Sequence, residues 1–437
     1  MELVFLLERV LWSGPLLVLL MGTHLYMTVK LRGVQRHTLR GIRLSLRREP
    51  GESGISAFGA LATSLAAAIG TGNIIGVATA IILGGPGAVF WCWFTGLFGM
   101  ATRYGETVLC LLHRRKGQGG AMYVLEDVLH RRGMAAAFAV FGVAAATGTG
   151  AMIQSNAMAA AMKSTCGMPV WITGLVVTVL AGAIILGGIR SVAGACERLV
   201  PAMSALYLLG CLTVLVRCRS CILPALGEIL SGALSPRAAG GGFAGGTILT
   251  AARYGTARGL FTNESGMGTA PLAASAGPGR NPKEEALVSM TGVFWDTVVI
   301  CAMTGVTLVA AMLKFPALFQ NAGPETLCFL AFSCIPGGKW VLTASLMTFA
   351  FSTVVGWCYY GECCSRYLWG PRADRPYRGA YLICTLLGAF LKLELLWSLG
   401  AILAGLMALP NLYMLWRLRD QAAETLGKQL LSRENPV

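Results

Sequence analysis

The chain has 437 residues, of which 55% are hydrophobic and only 13% are charged, and its mean hydropathy is +0.65. A soluble protein carries about 25% charged residues and cannot cover this much apolar surface, and a disordered chain would be more polar still. We therefore expect an integral membrane protein. A net charge of +15 would suggest nucleic-acid binding in a soluble protein. In a membrane protein, basic residues accumulate in cytoplasmic loops, so we expect no nucleic-acid partner.

The N-terminal apolar run is predicted to be a retained membrane helix and not a cleaved signal peptide. Glu2 and Glu8 precede the run from Val10 to Val29, and the first basic cluster follows it. A signal peptide has the opposite polarity. The N-terminus is therefore predicted to lie outside the cell.

Apolar segments of about 20 residues, the length that spans a bilayer, recur along the chain and predict about eleven transmembrane helices. They are residues 10–29, 56–83, 87–112, 134–162, 169–187, 199–216, 246–271, 286–312, 340–360, 379–391 and 395–416. Of the 35 Lys and Arg residues, 24 lie in segments that this arrangement puts in the cytoplasm and 8 in segments that it puts outside. The positive-inside rule then predicts a multi-pass protein of the bacterial plasma membrane with a cytoplasmic C-terminus.

Two of these spans are unusual because glycine and polar residues interrupt them. Span two contains Gly70-Thr71-Gly72-Asn73, and span seven contains the run GLFTNESGMG at 259–268. Close packing between helices would explain either run alone. Each run, however, opens a set of five spans, and an odd number of spans gives the two sets opposite topology. Interrupted helices at matching positions of inverted repeats indicate the binding site of a secondary transporter.

The arrangement predicts six regions along the chain. They are an extra N-terminal helix (1–33), a cytoplasmic basic amphipathic segment (34–55), a first five-helix repeat (56–216), an external loop (217–245), a second, inverted five-helix repeat (246–416) and a cytoplasmic tail (417–437). Membrane lipid with anionic headgroups is the expected contact of the basic segment.

A helix break leaves backbone N–H groups unpaired on one side and C=O groups on the other. At the first break, the amides around Thr71, Gly72 and Asn73 are predicted to bind a carboxylate, and the carbonyls before the break to hold a cation. At the second break, carbonyls around Phe261 and Asn263 are predicted to accept an ammonium group, while the glycines that follow leave little room for a substrate side chain. A small zwitterion fits both breaks.

Five runs of the sequence carry a resemblance to a known family. They are GTGNIIGVATA (70–80), GGPGAVF (84–90) with GMAT (99–102), GTGAMIQSN (148–156), RGLFTNESGMGTAP (258–271) and GWCYYGE (356–362). In order and spacing they closely resemble the alanine or glycine:cation symporters, also called sodium:alanine symporters, from about residue 50 to 378. The resemblance implies an all-α membrane protein with the leucine-transporter-type 5+5 inverted repeat and one extra N-terminal helix. It also implies symport of alanine or glycine, in the L or D form, with sodium or sometimes a proton.

The resemblance further implies a set of substrate-binding residues. They are Thr71, Gly72, Asn73, Gln154, Phe261, Asn263, Gly266, Gly268 and Trp357. Two of these roles have structural alternatives, since Gln154 could simply join two helices by a hydrogen bond and Trp357 could be an interfacial residue. The chain departs from the family pattern at Ala151, where Asn is usual, and at Ser265, where Ala is usual. The first departure leaves the substrate range and the coupling stoichiometry open.

Three charged residues inside the spans are predicted to be structural. Arg103 and Glu106 are three residues apart near the inner end of span three and predict a helical ion pair. Glu264 is predicted to pair with backbone amides or with Arg258, as the alternative to a role as a proton carrier.

A sodium site is predicted where span nine faces the first break. The resemblance aligns these two helices, and a hard cation prefers oxygen ligands. The predicted ligands are the carbonyls of Ala66, Ile69 and Phe349 and the hydroxyls of Ser352 and Thr353. The alternative is that both hydroxyls bond back to carbonyls of their own helix.

The function that we predict is sodium-coupled, or proton-coupled, import of a small neutral amino acid by a monomer without an organic cofactor. An uncoupled uniporter or channel-like permease of the same fold is the alternative. A membrane enzyme is disfavoured because the chain has no HExxH or GxSxG motif, and Asp296 is a single acid in span eight. The lone pair Cys218 and Cys221 leaves a local disulfide open.

Overall fold

The computed structural model describes residues 2–12, 14–47, 55–234, 247–277, 281–391 and 393–431. Within these ranges the chain is helical and has no strand, apart from one isolated bridge between Arg115 and Gln118. The N-terminal part forms α1 (Glu2–Trp12), α2 (Pro15–Lys30) and α3 (Thr38–Ser45).

The first predicted repeat contains eight helices. They are α4 (Ala57–Ala68), α5 (Val77–Gly84), α6 (Gly87–Leu112), α7 (Ala121–Asp127), α8 (Arg132–Ala145), α9 (Ile153–Cys166), α10 (Val170–Ile185) and α11 (Gly188–Arg217). Wider π-helical turns at Gly72–Gly76 and Ala146–Met152 lead into α5 and join α8 to α9, respectively.

The remaining helices follow a short connection in which Cys218 and Cys221 are both free thiols. They are α12 (Ile222–Leu234), α13 (Ile248–Asn263), α14 (Ala270–Ala274), α15 (Pro282–Val293), α16 (Ala302–Lys314), α17 (Pro324–Ser333), α18 (Gly338–Trp369), α19 (Asp374–Gly388), α20 (Leu393–Arg417) and α21 (Arg419–Leu431). A π-helical turn at Phe294–Cys301 joins α15 to α16.

Helices occupy all eleven segments that the sequence predicts to span the membrane. Six helical stretches in the described chain, one of which combines α1 and α2, are long and apolar enough to cross a bilayer, and the bent pair α4 and α5 makes a seventh. The other four predicted spans coincide with α6, α10, α19 and the α13–α14 pair. Of these helices, α10, α13 and α19 are only 15 or 16 residues long. The number of membrane crossings stays a prediction.

Both predicted helix breaks are present. At the first, Ile69 leaves helical geometry, and the helical axis bends by 54° between α4 and the segment 72–84. At the second, α13 ends at Asn263 and Glu264 takes a left-handed conformation with φ 54°. Gly266 and Gly268 have φ values of 86° and 77°, which glycine adopts without steric cost. These positive φ values explain why glycine occupies both positions.

Helix α13 lies directly against α6 because small residues line the contact. Gly255 and Gly259 are four residues apart on α13, the spacing with which membrane helices approach closely. A methyl group at Gly255 would collide with the Ala88 backbone and lie 2.8 Å from Cβ of Trp91. At Gly259 it would lie 2.9 Å from the Cys92 carbonyl oxygen. This contact holds α13, the first half of the second broken helix, in place.

Ion pairs join several helices at the end of the molecule opposite the first residues. Arg114 at the end of α6 lies 2.6 Å from Glu285 of α15. The predicted basic segment forms α3, whose Arg40 lies 3.3 Å from Glu284. This arginine is therefore bound to a protein carboxylate, the lipid contact of the segment stays a prediction, and residues 48–54 lie outside the described ranges.

We predict that Gly255→Ala destabilises the protein by about 1–3 kcal/mol, because the added methyl group forces α6 and α13 apart. The matched control is Gly227→Ala in α12, where no atom lies within 4 Å of the added carbon. The apparent melting temperatures of the purified variants in detergent provide the measurement. Equal melting temperatures for the two variants would show that the α6–α13 contact tolerates a methyl group.

Candidate substrate and cation site

A small cavity of about 30 Å³ lies between the two helix breaks. It has room for one or two water molecules, so a larger ligand requires its walls to move apart. The lining residues are Ala67, Ala68, Gly70, Gly72, Thr149, Gln154, Phe261, Thr262, Glu264, Met267, Thr353, Trp357, Trp397 and Ala404.

A larger cavity of about 880 Å³, which we call the vestibule, lies on one side of the small cavity. Residues of α1, α5, α13, α17 and α20 line it. Phe261 and Trp397 line both cavities, and their ring centroids are 5.7 Å apart. These two rings therefore lie between the vestibule and the small cavity.

Four of the nine predicted substrate residues line the small cavity, namely Gly72, Gln154, Phe261 and Trp357. Thr71 lies beside it, since its hydroxyl donates to Oε1 of Gln154 over 3.2 Å. The remaining four do not line it. They are Asn73, Asn263, Gly266 and Gly268.

Gln154 is bonded to the first break from the π-helical side of α9. Its Oε1 atom accepts from the Thr71 hydroxyl and lies 3.4 Å from the Thr71 amide, and its Nε2 donates to the Thr149 carbonyl over 3.3 Å. Gln154 therefore joins two parts of the chain by hydrogen bonds, as in the alternative reading, and it also lines the cavity; its contact with a substrate stays a prediction.

Asn73 points away from the cavity and holds the first break together. Its Oδ1 accepts from the Gly70 amide over 2.9 Å. Its Nδ2 donates to Oδ1 of Asp296 over 2.6 Å, so the side chain joins the first broken helix to the π-helical turn after α15. Asp296 accepts in addition from the Thr297 hydroxyl over 2.6 Å and is fully buried.

Glu106 performs the corresponding task at the second break. Its Oε2 atom accepts from the amides of Gly266 (3.1 Å) and Gly268 (3.3 Å) and from Nδ2 of Asn411 in α20 (2.8 Å). The N–H groups that the break leaves without helical partners are thus bound by a buried carboxyl group. Gly266 and Gly268, which were predicted to bind substrate, form the turn at the break and do not line the cavity. Nothing in the local sequence marked Glu106 for this role, because its partners lie 160 and 305 residues away.

The predicted ion pair between Arg103 and Glu106 is wrong. Arg103 reaches instead across to Oγ of Ser64 in α4 and donates to the carbonyl of Asn263 over 3.1 Å. Two residues three apart on a helix can each point to a different neighbouring helix when both are completely buried, as these are. The Asn263 carbonyl, predicted to accept a ligand ammonium, is therefore already bonded.

Glu264 lines the cavity and does not pair with Arg258, in contrast to one of the predicted alternatives. Its Oε2 accepts from the Thr269 hydroxyl over 2.7 Å, and the Trp357 side chain is a second hydrogen-bonding neighbour. Trp357 itself packs on Gly150, where an added Cβ atom would lie 2.2 Å from the Trp357 Cβ. The left-handed conformation at Glu264 directs this carboxylate into the small cavity.

The five predicted sodium ligands lie together. Oγ of Ser352 is 2.8 Å from the Phe349 carbonyl, 3.3 Å from the Ala66 carbonyl and 3.5 Å from the Ile69 carbonyl. Oγ1 of Thr353 is 3.2 Å from the Ile69 carbonyl and 3.0 Å from that of Phe349. The hydroxyls of Ser352 and Thr353 are therefore close both to the Phe349 carbonyl of their own helix and to carbonyls at the end of α4. Five uncharged, buried oxygens from two helices form a donor set that fits a hard cation.

Close approach of the two backbones explains why these oxygens meet. Gly356 of α18 faces Ala67 of α4, and a Cβ atom there would lie 2.7 Å from the Ala67 amide nitrogen. Gly70 faces Thr353 in the same way, with Oγ1 2.7 Å from a hypothetical Cβ. Glycine at these two positions lets α18 lie on the broken helix.

The two departures from the family pattern lie away from the cavity lining. Ala151 is buried in the π-helical turn before α9, and the Ser265 hydroxyl is buried beside Gly99 with no hydrogen-bond partner among the described groups.

The residues that the sequence did not single out for the cavity are mainly Thr149, Thr262 and Trp397. The two threonines belong to quoted motifs, whereas only the tertiary structure brings Trp397 of α20 to this point.

The chain is similar in sequence to several known proteins. The model of the sodium:alanine symporter family matches residues 1–434. The chain is 44% identical to the sodium/alanine symporter AgcS of Methanococcus maripaludis, over 94% of this chain and 93% of that protein. It is 43% identical to an uncharacterized transporter of Haemophilus influenzae, over 96% of this chain and 93% of that one.

Solved structures confirm the predicted leucine-transporter-type fold. MhsT in complex with L-phenylalanine matches with a TM-score of 0.59 and 16% identity, over 88% of this chain and all of that chain. A Na⁺-coupled sialic acid symporter matches with a TM-score of 0.52 and 13% identity, over 96% of this chain and 86% of that one. At these identities the likeness concerns the fold alone.

We predict that Glu106→Gln loosens the second break, because hydrogen bonds to a charged acceptor are worth about 1.5–3 kcal/mol and those to a neutral amide about half as much. Hydrogen exchange of the purified protein should then rise in peptides that cover residues 264–268. Glu228→Gln in α12 is the control and should leave exchange there unchanged. Equal exchange in both variants would mean that the carboxylate does not hold this turn.

Proposed function

Because the chain belongs to the sodium:alanine symporter family, we propose that it imports alanine or glycine together with sodium by alternating access. The observation that carries this proposal is the group of five uncharged oxygens beside a small cavity between two broken helices. The relative from Methanococcus maripaludis is named a sodium/alanine symporter, which supports alanine as substrate and sodium as coupling ion. The protein is a multi-pass membrane protein, and no organic cofactor enters the proposal.

The two breaks differ in charge, and this difference supports one orientation of the substrate. At the second break, Glu106 already occupies the amides of Gly266 and Gly268, and the carboxylate of Glu264 faces the cavity. Glu264 would repel a substrate carboxylate there. The first break offers backbone amides around Thr71 and Gly72, and it contributes no acidic side chain to the cavity lining. We therefore orient the carboxylate toward the first break and the ammonium toward Glu264.

The small size of the cavity supports a small substrate. Phe261, Trp357 and Trp397 form bulky walls around a space of about 30 Å³. Opening the cavity far enough for a methyl side chain requires less displacement than opening it for a branched or aromatic one. Glycine and alanine, of either hand, therefore fit the proposal best.

Sodium is proposed to bind between Ala66, Ile69, Phe349, Ser352 and Thr353. The two hydroxyls would then turn lone pairs toward the ion instead of donating to the carbonyls. A zwitterionic substrate has no net charge, so one Na⁺ carries one positive charge inward, and a potential of about 100 mV supplies roughly 2.3 kcal/mol. This amounts to somewhat under two decades of accumulation at about 1.4 kcal/mol per tenfold.

Alternating access is proposed to start from a state like the one described. With the N-terminus outside, the vestibule faces the external medium. On the opposite side, Arg114 and Glu285 hold α6 to α15, and Ser56 donates to Glu197 over 2.6 Å at the start of α4. Opening toward the cytoplasm requires these contacts to separate, which would free the inner half of the first broken helix.

We predict that the purified protein in proteoliposomes accumulates alanine or glycine against its gradient when sodium is higher outside. Collapse of the sodium gradient should stop the accumulation. An uncoupled uniporter, the alternative function, would only equilibrate the amino acid. Accumulation driven by a proton gradient in sodium-free buffer would replace sodium by a proton as the coupling ion.

We predict that Ser352→Ala combined with Thr353→Val raises the sodium concentration for half-maximal uptake severalfold, because two of the five oxygens are lost. Alanine affinity at saturating sodium should change less. Thr348→Val on the same helix is the matched control, since its hydroxyl bonds only within α18. If the double variant keeps the sodium dependence of the control, the cation binds elsewhere.

A further inference from the structure

Arg258 lies at the inner end of the vestibule, next to both broken helices. It belongs to α13 and lines the vestibule but not the small cavity. A Cβ atom at Gly76 would lie 2.7 Å from its Cδ and 2.9 Å from its Nε and Nη1, so the side chain lies directly on the end of the first break. Its guanidinium carbon is 5.9 Å from the ring centroid of Phe261 and 5.4 Å from that of Trp397.

These contacts put a positive charge beside the two rings that separate the vestibule from the small cavity. Gly76 belongs to the first broken helix, Phe261 to the second and Trp397 to α20. Because Phe261 and Trp397 line both cavities, a molecule that moves from the vestibule to the small cavity passes these two rings and therefore comes close to the Arg258 guanidinium.

The guanidinium has no counter-ion among the side chains that the structure describes. No described carboxylate lies within ion-pair distance of it; the two aromatic rings and Gly76 are its close neighbours, and the carboxylate of Glu8 acts on it only at longer range. The one described acid that lines the vestibule, Glu8, accepts a hydrogen bond of 2.5 Å from Ser398. Arg9 and Arg253 line the vestibule as well and add to its positive charge.

Such an arginine is suited to bind a carboxylate. Aromatic rings stabilise the cation through their faces but do not satisfy its N–H donors, whereas a planar guanidinium bonds a carboxylate through two parallel hydrogen bonds. In a partly buried position this pairing is less screened than on an open surface.

We propose that Arg258 is an outer carboxylate-binding site, which holds the carboxylate of an incoming amino acid before it enters the small cavity. The proposal rests on the proposed function, because it concerns the same substrate on its way inward. Gly76, which lies against Arg258, is one helical turn from Gly72. A carboxylate released from Arg258 would therefore move by about one turn to reach the amides around Thr71 and Gly72. The site selects for a free carboxylate and disfavours amines that lack one.

The first test uses acetate, a carboxylate without an amino group, on purified protein in sodium-free detergent buffer. Acetate should raise the melting temperature of the wild type and of Arg253→Met relative to chloride, and should not raise that of Arg258→Met. Arg253 is the matched control because it lies on the same helix and in the same vestibule, over Tyr254 at 5.5 Å. An acetate effect that persists in Arg258→Met would overturn the proposal and assign acetate to the inner amides.

The second test uses alanine uptake and covers the case in which Arg258→Met does not fold. Arg258→Lys keeps the charge but loses the planar pair of donors, so KM for alanine should rise at least about tenfold while kcat changes little. Arg253→Lys should change KM less than about twofold, on the same scale. Wild-type KM in Arg258→Lys would contradict the site and leave the transport function intact. If Arg258→Met loses the acetate effect but the wild type shows no sodium-coupled uptake, the carboxylate site would be upheld and the proposed transport function would be refuted.

Discussion

A backbone amide inside a bilayer has no water to bond, so each broken helix depends on a side chain that replaces the missing helical partner. At the first break that side chain is Asn73, which accepts from the Gly70 amide. At the second it is Glu106, which accepts from two glycine amides and from Asn411. Without these acceptors, the donors would be buried and unsatisfied, at a cost of about 1–3 kcal/mol each.

The two acceptors also connect distant parts of the chain, so the conformation of each break depends on how the helices pack. Asn73 extends its amide to Asp296, and Glu106 takes a third hydrogen bond from α20. Each break is thereby held by a helix from elsewhere in the bundle. The small cavity itself is lined by Glu264 at the second break and by no acidic side chain from the first break, and this asymmetry supports the proposed zwitterionic substrate.

The first break is shared between the proposed substrate and cation sites. Gly70 lies against both Thr353 and Gln154, with Oγ1 of the first and Oε1 of the second 2.7 and 3.4 Å from a hypothetical Cβ. Thr353 belongs to the five-oxygen group and also lines the small cavity. An ion that draws α18 and α4 together would therefore also shape the cavity wall, which provides a direct physical route for coupling.

The sequence by itself determined the membrane class, the positions of the helices and both breaks, because apolar runs and interrupting glycines are local signals. Its motifs also identified the family, and the family resemblance, which sets span nine against the first break, implied that the five oxygens lie together. Only the tertiary structure decided that Glu106 accepts from the amides of the second break instead of pairing with Arg103. It also decided that Asn73 turns toward Asp296 and that the Arg258 guanidinium lies over the Trp397 ring. Each of these contacts joins residues more than 100 positions apart, and which buried polar group meets which partner depends on how the helices pack.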